Sequence, residues 1–173
     1  MSSINYDLRK IKGFIFDVDG VLSTDCIPLA ENGDPMRMVN IKDGYALQLA
    51  VKQDYHLGII TGGYTRSVKT RFERLGIQHI YMRSSAKIAD YEDFLLKTGL
   101  KDEEIVFAGD DIPDYEVMLR VGLPVAPATA APEIRAVAKY VSPLRGGEGI
   151  AREVIEQTMK AQDRWMKGDA FGW

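Results

Sequence analysis

The chain has 173 residues, with 22 Lys and Arg against 25 Asp and Glu, for a net charge of −3. This length is ample for one hydrophobic core and short for two, and the charge balance gives no basic field for nucleic acid. Cys26 is the sole cysteine, which excludes an internal disulfide, and no apolar run reaches membrane-spanning length.

Phe14-Ile15-Phe16 is a short apolar run suited to a buried strand. It stops at Asp17 and Asp19, with Gly20 beyond to let the chain turn. The next stretch, about 23–42, differs in kind. Two extended pieces, 26–29 and 36–39, flank Glu31-Asn32-Gly33-Asp34, and Asn-Gly between such pieces is a strong hairpin signal. Pro28 and Pro35 mark an edge or a flap rather than a central strand. From Asp43 the pattern becomes helical through Tyr45, Leu47, Leu49 and Ala50, ending near Tyr55. Residues 57–60 form a second strand that stops at Thr61-Gly62-Gly63. A helix from about Thr65 carries Val68, Phe72 and Leu75 and stops at Gly76. Residues 77–82 read as a third strand, 86–96 as a helix closed by Gly99, and 105–108 as a fourth strand. That strand also ends on acid, in Gly109-Asp110-Asp111-Ile112-Pro113-Asp114. A short helix over 115–121, a strand over 123–126, a helix opened by Pro132 and a last strand at Tyr140-Val141 follow. A helix from Ile150 and a tail over about 164–173 close the chain. Strands alternating with helices predict an α/β fold: a doubly wound, Rossmann-like parallel sheet with a small β-hairpin insertion after strand 1. The expected organisation is a single domain over 1–173.

Three predicted strands end in polar groups, and a parallel sheet gathers such ends in one crevice. The Asp pair, Asp17 and Asp19, needs a cation, a shared proton or solvent. With Asp110, Asp111 and Asp114 it supplies hard carboxylate oxygens of the kind Mg²⁺ prefers, often beside phosphate. The Thr61 hydroxyl and the bare backbone at Gly62 suit phosphate oxygens, and Lys87 brings a positive charge. Each element alone is ordinary, since Asp, Gly and Thr fill turns and Lys is usually solvated. Their order along the chain is the signal.

DVDGV, IITG, Lys87 and GDDIPD, in this order, resemble the four motifs of the haloacid dehalogenase superfamily of phosphotransferases. The short insertion resembles the capless subgroup. NIKDGYAL, FAGDD, VGLPVA and GGEGIAREV resemble the family of 3-deoxy-D-manno-octulosonate 8-phosphate phosphatases over about residues 10–160. The resemblance implies Asp17 as nucleophile, forming an aspartyl-phosphate, and Asp19 as the acid and base. It implies Mg²⁺ held by Asp17, the Asp19 carbonyl and Asp110, with Asp111 and Asp114 behind them orienting the metal's waters or Lys87. Thr61, Gly62 and Lys87 would hold the phosphoryl group.

At the position after Thr-Gly many octulosonate phosphatases carry Arg, and nonulosonate 9-phosphate relatives tend to carry Glu. Gly63 stands there in this chain, so Arg66 and Arg71 are candidates for the missing charge, and Arg145, with the Gly146-Gly147 turn and the tails, is expected to help close adjacent sites over the substrate. The expected substrate is a phosphorylated sugar acid, and a nonulosonate 9-phosphate is the alternative. The family also implies a homotetramer in which flaps pack together and a neighbour's tail helps finish each site. With no nucleic-acid or membrane partner and no signal-peptide run in MSSINYDLRK, a cytoplasmic enzyme is expected. Rivals of another class are a response-regulator receiver and a non-catalytic regulatory module. In a receiver the phosphorylated Asp ends a later strand than the acid pair, and a regulatory module would be expected to have lost Asp17, Asp19 or Lys87.

Overall fold

The computed structural model describes residues 4–172. Six strands form one sheet: β1 (Gly13–Phe16), β2 (His56–Thr61), β3 (His79–Met82), β4 (Ile105–Ala108), β5 (Leu123–Ala126) and β6 (Tyr140–Val141). Their order is β3-β2-β1-β4-β5-β6, and all neighbouring pairs are parallel. Helices α1 (Ile41–Lys52), α2 (Arg66–Arg74), α3 (Lys87–Thr98), α4 (Tyr115–Arg120), α5 (Pro132–Val137) and α6 (Ile150–Ala161) complete the fold. The winding direction reverses between β1 and β4, so the crevice at their carboxyl ends is where a ligand site is expected.

The alternation of side chains along each strand builds two cores. Phe14, Phe16, Val106 and Ala108 face one layer, packed by Leu47 of α1, Phe72 of α2 and Val154 of α6. Ile15, Ile105 and Phe107 face the other, packed by Tyr91 and Phe94 of α3, Met118 of α4 and Ile134 of α5. Burying each large apolar side chain stabilises by about 1.5–3 kcal/mol, and this packing fixes where the strand ends lie.

Some boundaries differ from expectation. α1 begins at Ile41 because Asn40 caps it, accepting the N–H groups of Lys42 and Asp43, and it stops at Lys52. Ile77 closes α2 instead of opening β3, since its N–H returns to the Phe72 carbonyl at 3.1 Å. The predicted hairpin is a flap closed by one antiparallel bridge, Leu29 with Pro35. The Ala30 N–H donates to Asp34 at 2.8 Å and the Met36 N–H to Pro28 at 2.9 Å. Two regular strands cannot form there, because Pro28 and Pro35 have no N–H to extend the ladder.

The tail lies on its own chain. Tyr45 of α1 donates its hydroxyl to the Ala170 carbonyl, and the Trp165 ring meets Tyr45 edge-on with centroids 6.4 Å apart. The Arg152 guanidinium of α6 covers Trp165, 4.6 Å from the ring centroid. Among the described residues no helix is long and apolar enough to cross a membrane.

Candidate active site

Asp17, Asp19, Thr61, Gly62, Gly63, Lys87, Asp110, Asp111 and Asp114 all line one crevice at the carboxyl edge of the sheet. Asp17 is the first residue past β1, and its N–H donates to the Ala108 carbonyl of β4 at 3.0 Å. Its Oδ1 accepts the Val18 N–H at 2.6 Å, which fixes the carboxylate at the start of the turn. Lys87, the first residue of α3, is buried and joins the two acidic loops. Its Nζ lies 2.9 Å from Asp17 Oδ2 and 2.7 Å from Asp114 Oδ1. The other Asp114 oxygen accepts the N–H groups of Asp110, at 3.0 Å, and Asp111, at 3.4 Å. Asp114 is therefore occupied in holding Lys87 and its own loop. Asp111 turns back to cap the Ile112 N–H at 2.8 Å. Thr61 is buried, and its hydroxyl accepts the Gly63 N–H at 3.3 Å.

The charges here are out of balance. Carboxylate oxygens of Asp17, Asp110 and Asp114 lie within 4.8 Å of one another, against the single amine of Lys87. Burial, then the Asp114 charge, push Asp17 up to about 6, with Lys87 opposing. Burial, then Asp17 and Asp114, push Asp110 up to about 8. Burial alone would lower the Lys87 amine, but Asp17 and Asp114 outweigh it and raise its pKa overall. Such a cluster fits a hard divalent cation, which these oxygens suit and whose charge would relieve the repulsion. The Asp114 oxygens are engaged by Lys87 and the Asp110 and Asp111 N–H groups, and the Asp17 oxygens by Lys87 and the Val18 N–H. Gly20 makes the approach possible: at φ +78° it turns the chain, and a Cβ there would collide with the Asp110 carboxylate.

Three expected arginines lie elsewhere. Arg66 is on the exposed start of α2, in a groove with Ser67, Thr70, Arg71 and Arg74 that is separate from the crevice. Thr65, in extended conformation, precedes the helix. Arg71 packs under the flap instead, against Gly44. Arg145 is exposed, outside the crevice lining, with its N–H donated to Glu148 at 3.1 Å.

The guanidinium of Arg37, from the flap, bonds the acid pair from outside the crevice lining. Its Nε and Nη2 donate to Asp19 Oδ1 and Oδ2 at 2.7 and 2.8 Å. The sequence signal for it was faint: in Met36-Arg37-Met38 an extended chain puts Arg37 on the side opposite both methionines. Asp25, Ser84 and Ser85 also line the crevice and were not singled out.

A doubly wound parallel sheet with an Asp pair after β1, a second acidic loop after β4 and a lysine opening α3 defines a haloacid dehalogenase-like hydrolase. A family model of that description matches residues 76–154. The 3-deoxy-D-manno-octulosonate 8-phosphate phosphatase of Escherichia coli K12 is 39% identical over 156 residues, covering 90% of this chain and 83% of that protein. The crystal structure of the same-named enzyme from Yersinia pestis superposes with a TM-score of 0.87 at 35% identity, covering 91% of this chain and 85% of that one. The Moraxella catarrhalis enzyme, solved with magnesium, phosphate and the sugar acid, gives a TM-score of 0.87 at 32% identity, covering 95% and 93%. The chain belongs to this family of haloacid dehalogenase-like phosphatases.

Proposed function

We propose that this protein removes phosphate from 3-deoxy-D-manno-octulosonate 8-phosphate, in lipopolysaccharide precursor synthesis, through an aspartyl-phosphate on Asp17. The observation that carries the reading is the buried Asp17 carboxylate, held by Lys87 and facing Asp110 across the β1–β4 switch. In the first step an Asp17 oxygen bonds to phosphorus, the ester P–O bond breaks, and Asp19 gives its proton to the departing alcohol. In the second, Asp19 takes a proton from water, whose oxygen attacks the same phosphorus and frees Asp17 and inorganic phosphate. Thr61, the Gly62 N–H and Lys87 hold the phosphoryl oxygens through both steps. Mg²⁺, held by Asp17, Asp110 and the Asp19 carbonyl, would neutralise phosphoryl charge and align the phosphorus. Asp111 and Asp114 stand behind these groups, Asp114 by orienting Lys87.

The same reading makes the protein one domain with a flap, working in the cytoplasm as a homotetramer. Leu29, Met36, Met38, Val39 and Ile41 along the flap are exposed apolar side chains, a pattern that usually marks an interface. Sedimentation at working concentration should give a mass near four chains. The substrate assignment is tested by phosphate release from a panel of phosphorylated keto-sugar acids. The eight-carbon acid should be turned over fastest. Preference for a nine-carbon 9-phosphate would reassign the enzyme within its family, and silence on every ester would favour a non-catalytic module.

A further inference from the structure

The flap carries an inverted polarity. Met36 and Met38 are exposed, while the Arg37 side chain between them is only 6% exposed. A guanidinium is withdrawn from water only where its donors are satisfied. Each of the three Arg37 nitrogens donates, Nε and Nη2 to the Asp19 carboxylate and Nη1 to the Thr65 hydroxyl. Asp19 itself stays open to the crevice, with its side chain 40% exposed. The planar fork grips both carboxylate oxygens from behind, which leaves each with a lone pair toward the crevice.

Gly63 completes the arrangement. A Cβ there would collide with the Arg37 guanidinium and come within 3.3 Å of Asp19 Oδ2. Gly63 does not have a left-handed backbone, so its lack of a side chain is needed for space and not for conformation. Arg37 reaches Asp19 through the volume that any side chain at 63 would fill.

Resting on the phosphatase reading above, we propose that Arg37 is a positioning residue for Asp19, and that Gly63 is the vacancy that admits it. The flap is then part of the proton-transfer apparatus as well as a cover. The clamp fixes the Asp19 carboxylate at the angle from which it meets the departing alcohol oxygen, and its contribution is largest where that oxygen most needs a proton.

The test uses three esters: p-nitrophenyl phosphate, whose leaving group departs as an anion, a neutral sugar phosphate, and the eight-carbon sugar-acid phosphate. Because kcat/KM covers steps through departure of the leaving group, it isolates this proton transfer. Arg37→Ala should lower kcat/KM about 10- to 100-fold for both sugar esters and far less for the aryl ester, the scale of misplacing a catalytic group. Arg37→Lys should restore part of the loss, because a point charge cannot grip both oxygens. Gly63→Ala should reproduce the Arg37→Ala pattern, and the double variant should lose no more than either single one. Equal loss on all three esters would make Arg37 a structural residue and overturn the proposal. Loss confined to the sugar acid would overturn it too, by making Arg37 a reader of the substrate's carboxylate. A Gly63→Ala enzyme with wild-type ester ratios would likewise contradict it. Wild-type protein silent on every ester would remove the phosphatase reading and this inference with it, whereas an active wild type with unshifted ratios would remove the inference alone.

Discussion

Asp43, in the first turn of α1, accepts the backbone N–H of Arg152, in the first turn of α6, at 2.7 Å. Two of the three helices on this face of the sheet are pinned by this bond at the ends nearest the flap. The second Asp43 oxygen is buried without a hydrogen-bond partner among the described residues.

Burial pushes Asp43 up to about 6, against the Arg152 N–H and charge, which pull it down. A carboxyl group with a raised folded-state pKa binds protons more tightly in the native state. Its stabilising contribution is therefore fully present below about pH 4 and is lost as the pH rises through about 6. Asp43→Asn keeps an acceptor for Arg152 and removes the charge. The variant should gain stability relative to wild type between pH 4 and 7, by at most about 3 kcal/mol. Denaturant melts at several pH values check this, and a constant difference across the range would show that Asp43 does not titrate in the fold.

Asp17 and Asp110, raised to about 6 and about 8 without a cation, must shed protons to hold one. Mg²⁺ should accordingly bind more tightly as the pH rises from 5 to 8, with a growing increase in Tm. Asp110→Asn should abolish most of that increase. Chelation should silence turnover and Mg²⁺ restore it, while Ca²⁺ should bind without supporting turnover, because its longer, looser coordination misplaces the reacting oxygens. An equal Tm shift at pH 5 and 8, or full activity in chelator, would remove the metal assignment.

The tail packs Trp165 and Ala170 against α1 of its own chain, so its loss should be felt first as stability. Deleting residues 165–173 should cost about 1–3 kcal/mol, the scale of re-exposing one large apolar side chain. Calorimetry checks the loss. Unchanged Tm with lost turnover would mean that the tail serves a neighbouring site instead.

The strands that bear the chemistry were legible because a buried parallel strand reads as an uninterrupted apolar run, and polar residues at its end stand out. Asp17 and Thr61 follow such runs directly, and Asp110 follows one residue on, after Gly109. Lys87 stands at a predicted helix start, and the resemblance has Asp111 and Asp114 orienting either the metal's waters or Lys87; of the two, Asp114 bonds Lys87 in the fold. The substrate arginines were not legible. Helical spacing sets Arg66 and Arg71, five residues apart, on different faces of α2, but does not say which face meets the crevice. Arg37 was hidden because its position depends on an irregular flap and on empty space at Gly63, and neither leaves a periodic trace. The flap misled for a related reason: its Asn-Gly turn signals a hairpin, while the prolines on either side deny it the donors of a ladder.

Asp19→Asn keeps the size of the side chain and removes proton transfer. Turnover of a sugar phosphate should fall about 10²–10⁴-fold, the range that general acid–base catalysis supplies. Pre-steady-state kinetics with the aryl ester should then show a burst, as the aspartyl-phosphate forms faster than water removes it. Turnover within a few-fold of wild type would take the acid–base role away from Asp19.

The most direct measurement is Mg²⁺-dependent phosphate release from the eight-carbon sugar-acid phosphate by the wild type and by Asp17→Asn, with folding checked by circular dichroism. The wild type should release phosphate catalytically, and Asp17→Asn should release none above background while keeping its fold. Asp17→Asn turning over near the wild-type rate would contradict covalent catalysis at Asp17.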